Sequence, residues 1–259
     1  MKAGISTACL YPMETEQALK VLAEMGTRQI EIFVNAPSEL SALFMDTMAR
    51  MKDAYGCEIV SLHPFLSGYE PFLFFTEYER RFHDGVEMYR PIFASAARLG
   101  AKYVVFHGNY RESRFENQRY FERYHRLFEV GKEYGVLLCQ ENVERCKSCS
   151  TAFIREMSEA LGEDALFVLD VKQALRSGVD PIAMAKVMGK HLRHIHISDS
   201  AGEQDCLPIG WGNYDFAALR EALKEIEYDG ALILELYRQN FQKNRDLYDS
   251  CVKITKLFL

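Results

Sequence analysis

Short runs rich in β-forming residues alternate eight times with longer amphipathic stretches along 259 residues, and few architectures accept that alternation. The runs are AGISTAC (3–9), QIEIFV (29–34), CEIVSLH (57–63), YVVFHG (103–108), VLLCQENV (136–143), ALFVLDV (165–171), LRHIHISD (192–199) and ALILELY (231–237). Helical periodicity covers 14–25, 38–55, 77–99, 116–134, 151–161, 181–189, 215–227 and 239–257. Ser38, Asn117, Ser150 or Thr151, and Asp180 followed by Pro181 supply helix starts; Gly26, Gly56, Gly100, Gly135, Gly162 and Gly189 stand where helices stop. No linker of Pro/Gly/Ser composition breaks the series, so a single (β/α)₈ TIM barrel domain over 1–259 is the expected fold. A doubly wound sheet is second, and no GxGxxG follows the first run to support it.

Charge and cysteine content narrow the function classes. A net charge of −6 with no basic arm suits nucleic acid poorly, and no apolar stretch is long enough for a membrane helix or a secretory signal. A cytoplasmic protein with no nucleic-acid or membrane partner is therefore expected. Seven scattered cysteines argue against a disulfide framework, and the CxxC of Cys146 and Cys149 lacks the second ligand pair of a structural zinc site.

A barrel of this kind carries its chemistry at the carboxyl ends of the strands. Those ends hold His63, His107, Glu141, Asp170, His196 and Glu235, with Glu31 inside the second run. Burying so many polar groups at one end is costly unless they share a partner. Glu141, Asp170, His196 and Glu235 offer oxygen and nitrogen donors without thiolate, a set suited to one divalent ion, Mn²⁺ first, then Mg²⁺ or Co²⁺, with Zn²⁺ admissible. His194 shares the parity of His196 and is expected one layer deeper in a supporting role.

With SLHP (61–64), VFHG (105–108), QEN (140–142), LDVKQ (169–173), HIHISD (194–199), LPIGWG (207–212) and ILELY (233–237) in this order, the chain resembles the xylose isomerase-like barrels along its whole length. That family includes sugar phosphate isomerases, ketose 3-epimerases, inosose dehydratases and endonuclease IV. The resemblance implies that Glu141, Asp170, His196 and Glu235 hold one metal ion and that Glu141 and Glu235 also move protons. Endonuclease IV-like members carry further metal ligands where this chain has Gln173, Gln204 and Cys206, which disfavours a three-zinc site.

The expected activity is metal-dependent isomerisation or epimerisation of a sugar or sugar phosphate by proton transfer through a metal-stabilised enediolate. An endonuclease IV-like phosphodiesterase and a non-catalytic sugar-binding barrel are the alternatives. His63 and His107 are expected to contact substrate hydroxyls, with a second metal sharing Glu141 as the other use for them. Gln173, Arg238 and Trp211 complete the expected substrate contacts. Arg111, Arg114, Arg145, Lys147, Lys172 and Arg176 join Arg238 as loop cations that would suit an anionic substrate. The aromatics of 66–78 would form a lid, meet another subunit or pack against the neighbouring helices, so a homo-oligomer is among the expectations.

Overall fold

The computed structural model describes residues 1–259, and its eight long-range strands close into one parallel barrel. In chain order they are β1 (Lys2–Ser6), β2 (Gln29–Val34), β3 (Glu58–Pro64), β4 (Tyr103–Phe106), β5 (Leu137–Glu141), β6 (Phe167–Asp170), β7 (Leu192–Ile197) and, after a short hairpin of β8 (Asp199–Ala201) and β9 (Gln204–Leu207), β10 (Ala231–Leu234). β1 closes the ring by pairing with both β2 and β10. Each expected run overlaps one of the eight barrel strands.

Helices cover the outside: α1 (Thr15–Glu24), α2 (Ala42–Tyr55), α3 (Glu70–Phe74), α4 (Glu79–Leu99), α5 (Asn117–Glu133), α6 (Thr151–Leu161), α7 (Val171–Arg176), α8 (Pro181–Met188), α9 (Phe216–Glu225) and α10 (Asn244–Phe258). Ser150 and Asp180 accept backbone N–H groups at the starts of α6 and α8, as their types favour. Two starts differ from expectation. Ser41 caps α2 because Pro37–Leu40 forms a separate 3₁₀ turn, and Glu116 precedes α5 without a side-chain cap.

Strand alternation sorts the side chains. Ile30, Ile32, Leu138, Leu169 and Ile195 join the buried layer under the helices, while Val60, Ala231 and Ile233 form a small separate apolar cluster. Registers Asp170↔His196 and His196↔Ile233 bring β6, β7 and β10 level at the carboxyl end. The polar residues of the strand ends therefore converge.

Two elements hold the mouth in shape. The Asp199 carboxylate accepts the backbone N–H groups of Ser200, Gly210, Gly212 and Tyr214, and Lys253 of α10 donates to the Ile209 carbonyl at 2.6 Å. A Cβ on Gly212 would meet Asp199 Oδ1 at 2.5 Å, so this glycine serves the turn. The expected lid also divides. Phe74 and Phe75 are buried, Phe75 stacking on Tyr120 with centroids 4.1 Å apart, whereas Tyr69, Phe72 and Tyr78 remain more than half exposed. No helix is long and apolar enough to cross a membrane.

Candidate metal and active site at the barrel mouth

Asp170 ends β6 and caps α7 at once. Its Oδ1 accepts the Gln173 N–H at 2.9 Å, which leaves Oδ2 buried without a hydrogen-bond partner. Glu141 from the end of β5, His196 from β7 and Glu235 just past β10 meet it there. The four side chains offer one donor atom each, all within 4.8 Å of one another.

The orientation of His196 is fixed from behind. Its Nε2 lies 3.0 Å from Glu31 Oε2, and that same oxygen accepts from Ser61 Oγ at 2.7 Å and lies 3.0 Å from His194 Nε2. Glu31 is wholly buried, so an Nε2–H toward it is the arrangement that satisfies both groups. His196 Nδ1 is then presented to Glu141 Oε1 at 2.9 Å and Glu235 Oε2 at 3.8 Å. Nδ1 there either carries a proton toward the carboxylates or presents its lone pair to a cation held between them. Burial opposes charge on His196, yet the carboxylates of Glu31, Glu235 and Glu141 prevail and raise its pKa well above the ordinary imidazole value. Burial also pushes the Asp170 carboxyl up, to about 6, against the pull of Lys172. These residues fit a divalent ion: the donors are convergent, Asp170 Oδ2 makes no hydrogen bond and faces only the Lys172 ammonium at 3.2 Å, and the local electrostatics call for positive charge.

His63 and His107 stand beside this group. Their Nε2 atoms are 2.9 Å apart, so both cannot carry protons, and His107 Nε2 also lies 2.6 Å from Glu141 Oε2. His63 Nδ1 is 3.6 Å from Glu235 Oε1. Both histidines, with Glu141, Asp170 and Glu235, line a cavity of about 430 Å³. That volume falls within the range of small-molecule sites, about 300–1,000 Å³. Gln173 and Arg238 also line it, as do Asn35, Ser67, Phe33 and Tyr237. Arg238 donates to the Phe241 carbonyl at 3.1 Å and pairs with no carboxylate, which leaves its charge available.

Trp211 is the exception among the expected contacts. It lies 48% exposed in a separate surface depression with Asp246, Asp249 and Lys253, because Asp199 and Lys253 fold its loop back on α10. It does not line the cavity. Arg176 is likewise committed, forming two hydrogen bonds to Asp205 and one to Tyr237 Oη. Of the positions that would supply further ligands in a three-zinc site, Gln173 accepts the Glu144 N–H, Gln204 is exposed, and Cys206 Sγ bonds the backbone on both sides of Leu236.

Three buried residues carry more than the sequence suggested. Glu31 is the first. The second is Lys172, expected as an open loop cation, which is 4% exposed and lies 3.0 Å from Glu235 Oε2 and 3.2 Å from Asp170 Oδ2. The third is Glu70 of α3, whose Oε2 accepts the His107 and Gly108 N–H groups at 2.9 and 2.6 Å while Oε1 accepts from Tyr89 at 2.6 Å. Glu70 ties the 66–78 segment to the end of β4, which makes that segment a fixed wall.

Burial raises the Glu70 pKa, so the folded protein holds this proton to higher pH than the unfolded chain. The sign follows: ionised Glu70 costs stability above its folded pKa, and the cost vanishes below the ordinary carboxyl value. Glu70→Ala should destabilise by about 2–4 kcal/mol through its orphaned donors. Glu70→Gln, which retains hydrogen-bonding capacity without charge, should match or exceed the parent at alkaline pH. Urea unfolding across pH measures both.

A family model described as "Xylose isomerase-like TIM barrel" matches residues 19–254. The protein MJ1311 of Methanocaldococcus jannaschii is 25% identical over 91% of this chain and 83% of its own length. In fold the chain is similar to an L-ribulose 3-epimerase, with TM-score 0.83 at 20% identity over 100% of this chain and 95% of that one. It is similar also to the IOLI protein solved with a zinc atom, with TM-score 0.81 at 19% identity over 100% and 99%. With barrel, strand-end donors and model match in agreement, the chain belongs to the xylose isomerase-like TIM barrel family.

Proposed function

We propose that the protein is a divalent-metal-dependent isomerase or epimerase of a ketose or ketose phosphate, working by proton transfer at the carbon beside the carbonyl. The observation that carries this reading is the convergence on His196 Nδ1 of Glu141, Asp170 and Glu235, three carboxylates that line the cavity. Sugar epimerase chemistry in the similarly folded L-ribulose 3-epimerase, and the zinc of the IOLI protein, support it. Glu141, Asp170, His196 and Glu235 would hold the ion, Mn²⁺ first with Mg²⁺, Co²⁺ and Zn²⁺ as alternatives. Once bound it would polarise the carbonyl and acidify the neighbouring C–H bond.

The chain's own groups supply the rest. Glu141 and Glu235 come from strands separated by two others in the ring, so they approach a substrate from different sides. One carboxylate takes the proton and the other returns it for epimerisation; one alone suffices for aldose–ketose exchange. His63 and His107, in contact with these carboxylates, would bond substrate hydroxyls and steady the pair. Gln173 and Arg238 at the rim would take the far end of the sugar, and a phosphate or carboxylate there would meet the unpaired guanidinium.

Incubation of the Mn²⁺-loaded protein with ketoses and their phosphates in D₂O, followed by NMR, tests this directly. Deuterium should enter one substrate beside its carbonyl as product accumulates, and Arg238→Ala should raise KM for anionic sugars alone. No deuterium in any member of the panel would overturn the reading.

A further inference from the structure

Lysine is almost never fully buried unless it is paired. Lys172 is 4% exposed, with Nζ 3.0 Å from Glu235 Oε2, 3.2 Å from Asp170 Oδ2 and 5.0 Å from the centroid of the Tyr237 ring. Its two carboxylate partners belong to the four side chains assigned to the divalent ion. The Asp170 oxygen it faces is the one that capping of α7 leaves free. Ammonium and divalent ion thus seek the same oxygens.

A wish for stability explains the arrangement poorly, because the desolvation of a buried ion pair offsets most of its attraction. Position explains it better. Lys172 lies in the first turn of α7, only two residues past Asp170, so its stem cannot carry the charge far from the quartet. We propose, on the reading that the quartet is the metal site, that Lys172 is a tethered competitor of the divalent ion. It neutralises Asp170 and Glu235 when no ion is bound and lowers the affinity when one binds, by sharing their oxygens and by direct repulsion across a partly desolvated gap. Affinity in this protein is therefore held below what the four ligands alone would give.

Calorimetric titration with MnCl₂ near neutral pH, after chelator treatment, tests the proposal on the unaltered protein, Lys172→Met and Lys172→Gln. Both variants should bind Mn²⁺ at least about tenfold more tightly. Their metal-free forms should melt earlier, because two carboxylates lose their counter-charge, and Mn²⁺ should raise their Tm by more than it raises the parent's. A variant that folds only when Mn²⁺ is added also supports the proposal. Equal or weaker Mn²⁺ affinity in both variants overturns it and leaves the metal site standing. Failure of all three proteins to bind Mn²⁺ overturns the metal site and this inference together.

Discussion

Glu235→Gln and Glu141→Gln should each reduce solvent deuterium uptake into the ketose by about 10²–10⁴-fold, the ordinary contribution of a general acid or base. The amide keeps the size and one oxygen donor of the carboxylate, so Mn²⁺ should still bind, though less tightly. Glu235 is held well below the usual carboxylate range because Lys172, His196 and His63 outweigh the opposing effect of burial, which keeps it ionised. Glu141 is held low in the same way by His107 and His196. Epimerisation uses both carboxylates, so each variant loses turnover; one variant keeping most of its uptake would instead mark aldose–ketose exchange through a single base. Uptake preserved in both would remove these residues from the chemistry. Proton exchange measured by NMR at saturating metal separates this effect from loss of the ion.

Asp170→Asn should cost more than about 100-fold in Mn²⁺ affinity, exceeding the 10–100-fold loss that accompanies changes in groups behind a ligand. The asparagine oxygen can still accept the Gln173 N–H that starts α7, so the strand–helix junction survives while the anionic oxygen that faces Lys172 is lost. Circular dichroism should therefore change little as the affinity falls, with Lys172 still paired to Glu235. Unchanged Mn²⁺ binding would place the ion elsewhere.

How far the sequence reached depended on the range of the interactions involved. Strand period and helix stops are local, and the eight barrel strands follow from them. That Glu141, Asp170, His196 and Glu235 come together was legible because strand ends in this fold share one rim. The meaning of Glu31 was hidden, since its partners His194 and His196 come from β7, across the barrel from β2. Lys172 read as an open cation because α7 begins directly at Asp170, with no loop to signal that the residue turns under the mouth. Trp211 read as a ligand contact because the four N–H bonds that Asp199 accepts cannot be seen from spacing alone. The 66–78 aromatics looked like a lid for a similar reason: the Glu70 tie to His107 and Gly108 spans nearly forty residues of sequence.

Anomalous diffraction from crystals soaked in MnCl₂ tests the metal assignment at its source. The account predicts one strong peak among the side chains of Glu141, Asp170, His196 and Glu235, with His196 reaching it through Nδ1. A peak confined to His63 and His107, or no peak at the barrel mouth, would contradict it.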